Sequence, residues 1–508
     1  MSANKIKTFL LFNCIIPASF VIFTICFMPI EQVFQFDPSD EGIELIKATL
    51  HLDGFALYTQ VWNDQPPLFT FILASWLDWF GKSIYSARLL TLSFSTILIW
   101  SFCQTLRIYL GNLPAIIGTL LLITSCNFLR LSVSVMIDLP SLAMVMLSIY
   151  TLTLYKQNFT QKSSIFFIII SGALLAASLQ IKLYTAFITP LIIFDLFLFH
   201  RNKNPQLRRN LIFDAILWLT AFASVFIIIG MLCNSLTYEQ LLQAHLNNNV
   251  KTAFPAGNSL KLAFSFLLQD FDYLLLAILA TIVIFKNQAW EKSFPVLWII
   301  IGFIALINHR PVWYHHYLLI SIPLTWLATY GLTLSFSFFQ QPKWYYKLKL
   351  VNLKEITVSG LAAGFVIFSI LVTPIKLGVI IFENHRYIEQ TQEHIQFVNI
   401  LLKQKASTKW VFTNCPMYAF YSGLSVPPEI AVLSRKRIES KNITPKQIIA
   451  ILDTYHPEQV LLCRSQTLQN YLNSYLNENY LKTYGNNLGT HYLLQETPLK
   501  PLRMKNDR

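Results

Sequence analysis

The chain has 508 residues, 54% of them hydrophobic and 13% charged, with a formal net charge of +13. That balance excludes an ordinary soluble globular domain and fits a polytopic membrane protein. The basic residues are spread over loops instead of being gathered on one soluble face, so the charge does not point to nucleic acid.

A helix needs about 20 mostly apolar residues to cross the hydrocarbon, and Phe9 to Ile30 has that length without a charge. It is read as an uncleaved first helix, because it is longer than a signal-peptide core and carries no obvious small-residue cleavage site. Further blocks run from Leu89 to Leu106, Leu113 to Leu129, Leu139 to Tyr155, Ser163 to Ile181, Leu183 to Phe199, Ala215 to Leu232, Phe271 to Phe285, Phe294 to Ile307, Tyr317 to Phe339 and Ile356 to Ile375. They predict roughly eleven spans. With Lys5 and Lys7 in the cytoplasm, alternate loops hold Arg107, Lys156 and Lys162, the Arg201 to Arg209 cluster, Lys286 and Lys292, and Lys343 to Lys354. This is the positive-inside pattern. Parity then places the first loop and the tail outside the cytoplasm.

In the first loop, Asp37 and Pro38 suit a helix start, Ile43, Ile46 and Leu50 share a face, and Asp53-Gly54 ends the helix. After Pro66-Pro67, Leu68 to Phe80 is a second apolar stretch, expected at the membrane interface. Asn234 to Asp270 reads as a long polar external loop. From about Glu383 the composition turns polar, which predicts a soluble α/β domain. Strands are expected at Trp410 to Thr413 and Gln459 to Leu462, helices at Thr444 to Thr454 and Leu468 to Leu476, and a terminal hairpin over Tyr480 to Tyr484 and Thr490 to Leu494. The expected division is therefore 1–382, containing the external loop 31–88, and 383–508. Cys415 and Cys463 are the two tail cysteines. An external tail permits a disulfide between them, and the sequence leaves the pairing open.

Several polar groups stand out at the external turns. Asp40 and Glu41 lie in the first turn of a predicted helix, where the dipole alone favours acids. Their place beside the membrane, with Asp37 and Glu44 and little basic compensation, also suits a general base. Asp138 precedes Pro140 at another helix start, and ionisable groups at membrane depth tend to mark function. Lys182 sits between two apolar blocks, where a lysine can simply snorkel. Arg310, His315 and His316 lie among Trp313, Tyr314 and Tyr317, a composition an interfacial aromatic belt also explains. Together, Lys182, Arg310 and a histidine would supply the positive field that a phosphate leaving group needs. No glycine-rich phosphate loop is present to hold a nucleotide.

The ordered set Asp40-Glu41-Gly42, Leu52-Asp53-Gly54, Tyr58, Trp62, Asp64-Gln65-Pro66-Pro67-Leu68, Gly81, Ala87-Arg88-Leu89-Leu90, Met136-Ile137-Asp138-Leu139-Pro140, Lys182 and Trp313-Tyr314-His315-His316-Tyr317 with Pro323 resembles the GT-C membrane glycosyltransferases. The resemblance is to relatives of protein O-mannosyltransferases, lipid A aminoarabinose transferases and lipopolysaccharide galacturonosyltransferases. It implies a GT-C transmembrane domain and transfer of a hexosyl or pentosyl group from a polyprenyl-phosphate carrier to a glycan, lipid or protein on the non-cytoplasmic face. A bacterial inner membrane is the expected location. Asp40 matches the family's principal catalytic carboxylate, Glu41 the acid beside it and Asp138 the second-loop acid. Asp64 matches the acid before the prolines. Some members follow that acid with lysine, whereas here it is Gln65, which moves donor-phosphate binding toward Lys182, Arg310, His315, His316 and Arg88. Some members also bind a divalent cation near the acidic loop, and Asp64 with a histidine is the candidate for it here. The competing classes are a flippase or transporter of lipid-linked saccharides and a membrane-anchored scaffold.

Overall fold

The computed structural model describes residues 3–31, 38–161, 163–201, 209–236, 239–246, 248–339, 353–463 and 466–495. It divides into two compact units, Met1–Gln35 with Asn63–Glu389, and Phe36–Trp62 with Gln390–Arg508. The expected boundary after residue 382 thus falls inside the helix Leu353–Lys403. Residues 36–62 of the expected first loop group with the tail.

The first unit is helical. Among the described residues, eight helices are long and apolar enough to cross a membrane, or nine if Ala256–Gln269 and Phe271–Lys286, bent by 87°, make one span. The expectation of eleven differs because some apolar blocks form helices too short to span. Asn112–Ile123 has 12 residues and Phe294–Asn308 has 15, and at about 1.5 Å per residue neither covers the hydrocarbon alone. The block Leu113 to Leu129 breaks where Ser125, Cys126 and Asn127 turn the chain before Phe128–Leu131.

The segment Asn234 to Asp270, expected as a polar loop, contains the helices Glu239–Leu246, Asn248–Ala253 and Ala256–Gln269. In the last of these, Leu260, Ala263, Phe264 and Leu267 recur at helical spacing. Ion pairs and a tyrosine hydrogen bond pin the bend that follows. Lys376 Nζ lies 2.8 Å from Asp270 Oδ1 and 2.6 Å from Asp272 Oδ1, and Tyr317 donates to Asp270 Oδ2.

The helices Asp138–Gln157 and Ser164–Ile181 meet along small hydroxyl residues, as membrane helices commonly do. Ser141 Oγ is 2.9 Å from Ser178 Oγ, and Ser148 Oγ is 3.1 Å from Ser171 Oγ. On its other side the second of these helices presents Gly172 to Trp218, whose carbonyl oxygen would lie 2.5 Å from any Cβ at that position.

The second unit holds a four-stranded sheet in the order β1 (Val411–Thr413), β2 (Gln459–Cys463), β4 (Gly489–Leu494), β3 (Tyr480–Gly485). β1 and β2 are parallel, while β2–β4 and β4–β3 are antiparallel. Phe412, Val460 and Leu462 pack with Leu452, Leu472 and Leu476 from the helices Pro445–Tyr455 and Gln466–Asn479. Thr444 caps the first of these in a reciprocal bond with Gln447. Cys415 and Cys463 are joined as a disulfide, with Cα atoms 6.2 Å apart.

The acidic helix Pro38–Leu52 packs in this unit against the helix Pro416–Ser422. Gly42 makes the approach: a Cβ there would stand 2.3 Å from the backbone nitrogen of Met417. Phe55 meets Trp410 edge-on at 6.4 Å, and the Arg437 guanidinium lies 4.3 Å from the Trp62 ring. Sequence periodicity sees the helix and its polar face, but not that its surroundings lie some 375 residues further along the chain.

Candidate active site

The serine contacts decide which helix ends meet. Ser141 is one turn into the Asp138–Gln157 helix, and Ser178 is one turn from the end of its neighbour. Their hydrogen bond therefore brings the start of one helix beside the finish of the other. Asp138 stands at an N-terminus and Lys182 caps a C-terminus, and each charge suits its own helix dipole. Lys182 Nζ lies 2.7 Å from Asp138 Oδ1, with both side chains buried.

The histidines arrive on a short 3₁₀ turn, Tyr314–Tyr317, just ahead of the helix Leu318–Phe339. Neighbouring side chains seldom share a target, yet both imidazoles here face Asp138. His315 Nε2 is 3.8 Å from Asp138 Oδ2, His316 Nε2 is 3.9 Å from Oδ1, and the two rings are 4.6 Å apart. His316 Nε2 is also 3.3 Å from Lys182 Nζ. The 3₁₀ turn holds His316 by its other nitrogen, since the Trp313 backbone N–H donates to His316 Nδ1 at 3.1 Å.

Ligand atoms of Asp138, His315 and His316 lie within 4.8 Å of one another, close enough to grip a metal ion. Lys182 shares that space. Asp138 Oδ2 and His315 Nδ1 are buried without a hydrogen-bond partner among the described residues. Such groups are costly to leave unsatisfied and are free to meet an incoming ligand.

The other expected residues stand on other elements. Asp40, half-buried, and Glu41, fully buried, belong to the second unit on the helix Pro38–Leu52. Asp37 lies outside the described residues. Arg88 is fully buried on the helix Ile84–Leu110 and donates to the Ile30 carbonyl at 3.0 Å. Arg310 reaches the Lys251 carbonyl at 3.5 Å. Asp64 is buried in the loop before Leu68–Phe80 and takes no part in the metal-sized group. Tyr184 and His309 were not singled out by the sequence. The Lys182 ammonium lies 4.7 Å from the Tyr184 ring, and the rings of His309 and His316 are 5.1 Å apart. Tyr184, two residues past the lysine, offered a local signal, whereas His309 offered none.

The family model described as dolichyl-phosphate-mannose-protein mannosyltransferase matches residues 64–232. A sequence search of the curated proteins finds no match. Among solved structures, ArnT from Cupriavidus metallidurans bound to undecaprenyl phosphate superposes with a TM-score of 0.58 at 11% identity, covering 98% of this chain and 99% of that one. The oligosaccharyltransferase AglB from Archaeoglobus fulgidus, in complex with an inhibitory peptide and a dolichol-phosphate, gives 0.58 at 11% identity over 98% of this chain and 76% of its own. This chain has the GT-C fold. An oligosaccharyltransferase from Archaeoglobus fulgidus in complex with zinc and sulfate superposes with a TM-score of 0.52 at 11% identity, over 95% of this chain and 74% of that one. Within the GT-C fold of the present chain, the matched stretch 64–232 contains Asp138 and Lys182, and the histidines follow it.

Proposed function

We propose that this chain is an integral-membrane glycosyltransferase that moves a sugar from a polyprenyl-phosphate donor to a glycan, lipid or protein acceptor on the non-cytoplasmic face. The observation that carries the reading is the buried group of Asp138, Lys182, His315 and His316 in a chain whose GT-C fold runs the full length of ArnT. A sugar phosphodiester already has an activated leaving group. The enzyme must therefore take a proton from the acceptor hydroxyl and hold the departing phosphate.

In this reading Asp40 is the general base and Glu41 the acid beside it. Lys182, His315, His316, Arg310 and Arg88 serve the donor phosphate, and Asp138 orients Lys182. Tethering the donor by its lipid tail keeps its head in a fixed place and removes much of the entropy cost of encounter. The N-terminus is assigned to the cytoplasm and the second unit to the outer side of a bacterial inner membrane.

Among the described residues, the bent helix pair at Asp270 favours a transporter, because such proteins carry interrupted spans. A flippase would move the lipid without consuming its sugar. The test is Asp40→Asn in membranes given a labelled donor, with expression followed in parallel. Losing one general base costs about 10²- to 10⁴-fold in rate, so product should fall by that order while the protein still reaches the membrane. Unchanged product formation, or lipid movement without sugar loss in the wild type, would overturn the assignment.

A further inference from the structure

The histidine turn has little to hold it from within. A 3₁₀ turn has poor hydrogen-bond geometry, and Tyr314–Tyr317 is a short one between the helices Phe294–Asn308 and Leu318–Phe339. Two neighbouring imidazoles must nevertheless keep a common aim at Asp138, which a misplacement of about 1 Å would spoil. The support comes from one helix. At the near end of the segment, Ser259 Oγ donates to the His309 carbonyl at 2.9 Å. At the far end, Phe266 meets the Tyr317 ring edge-on at 6.1 Å, and the Tyr317 hydroxyl donates to Asp270 Oδ2. Ser259 and Phe266 share a face of Ala256–Gln269, two turns apart, and Asp270 caps its end. All three are buried, whereas Leu260, Phe264 and Leu268 on another face are exposed.

Asp270 is itself held. Lys376 Nζ at 2.8 Å and the Cys126 backbone N–H at 3.2 Å both donate to its Oδ1, which leaves Oδ2 to the tyrosine. A hydrogen bond to a carboxylate fixed in this way is charge-assisted and directional. A buried tyrosine commonly finds a partner for its own sake, but here one helix grips both ends of the segment that carries the histidines. We propose that Ala256–Gln269 and Asp270 form a cradle that sets the histidine turn, with Ser259, Phe266 and Asp270 as positioning residues. The effect on turnover rests on the transferase reading, whereas the hold on the turn does not.

The experiment uses the full-length protein in lipid nanodiscs and compares Tyr317→Phe with Tyr273→Phe. Tyr273 is the matched control, a buried tyrosine whose hydroxyl bonds elsewhere, 3.0 Å from Thr124 Oγ1. Each variant loses one buried hydrogen bond and should melt earlier than the wild type. Carbethoxylation by diethyl pyrocarbonate, read by mass spectrometry, should speed up several-fold at His315 and His316 in Tyr317→Phe and stay unchanged in Tyr273→Phe. Ser259→Ala, which releases the His309 carbonyl at the other end, should shift the labelling in the same direction as Tyr317→Phe. In the transfer assay, Tyr317→Phe should lower kcat by about ten- to a hundredfold with donor KM little changed, the pattern of groups misplaced for the transition state. Tyr273→Phe should keep the wild-type kcat. Wild-type labelling in both Tyr317→Phe and Ser259→Ala, or an equal loss of kcat in the two tyrosine variants, would overturn the proposal. A wild type that transfers no sugar would defeat the transferase reading instead, and the labelling would still decide whether the cradle holds the turn.

Discussion

Lys182 and Asp138 form a buried pair in which each charge depends on the other. Removing one partner leaves an uncompensated buried charge, which typically costs about 3–5 kcal/mol. Lys182→Met should accordingly lower the thermal stability of the purified protein. The double variant Lys182→Met with Asp138→Leu should recover part of that loss while remaining without transfer activity. No recovery in the double variant would contradict the pairing. In the second unit, His491 is buried with Nε2 2.9 Å from Gln459 Oε1 and Nδ1 2.6 Å from Thr483 Oγ1. Burial pushes its pKa down to about 4 from the ordinary 6.5. Because the folded value lies below the unfolded one, the unfolded state binds the extra proton first. Stability is unaffected above pH 6.5 and falls as the pH drops toward 4, by up to about 3 kcal/mol. Urea titrations between pH 7 and 4.5 should show that decline, and His491→Gln should flatten it.

The elements differ in how far the sequence announces them. Leu68–Phe80 and the tail hairpin appear where apolar runs and the Gly485-Asn486-Asn487 turn place them. The helix Ala256–Gln269 escaped notice because lysine, serine and glutamine interrupt its apolar positions. Block length gives a higher span count than the helices of the described residues because it counts residues without the turns that interrupt them, as at Ser125 to Asn127. Lys182 and Asp138 could each be named as candidates. Their meeting could not, because it depends on the pairing of Ser141 with Ser178 across 37 residues. Ser178→Leu forces a bulky side chain into that contact and should cost about 1–3 kcal/mol, with a matching loss of donor binding. Gly42→Ala tests the other unit. Its added methyl would meet backbone at 2.3 Å, so the helix Pro38–Leu52 must shift, and limited proteolysis should cut between residues 36 and 62 more readily than in the wild type.

At the scale of the whole chain, the polar tail holds together around a small sheet and a disulfide that closes a sequence separation of 48 residues. Loop-closure entropy for such a link is worth about 3–4 kcal/mol. Cys415→Ser should therefore unfold the tail at lower denaturant, whereas an unchanged midpoint would mean that the bond contributes little. Neither the pairing of the cysteines nor the grouping of residues 36–62 with the tail was readable from spacing, since both are long-range packing outcomes. The function assigned to the molecule depends on a lipid-borne sugar phosphate reaching the Asp138 and Lys182 group. The most direct measurement is release of labelled sugar from a polyprenyl-phosphate donor by purified protein, comparing the wild type with Lys182→Met and Asp138→Asn. The account predicts donor consumption by the wild type and loss of it in both variants. An intact donor after incubation with the purified wild-type protein, or equal consumption by all three proteins, would contradict it.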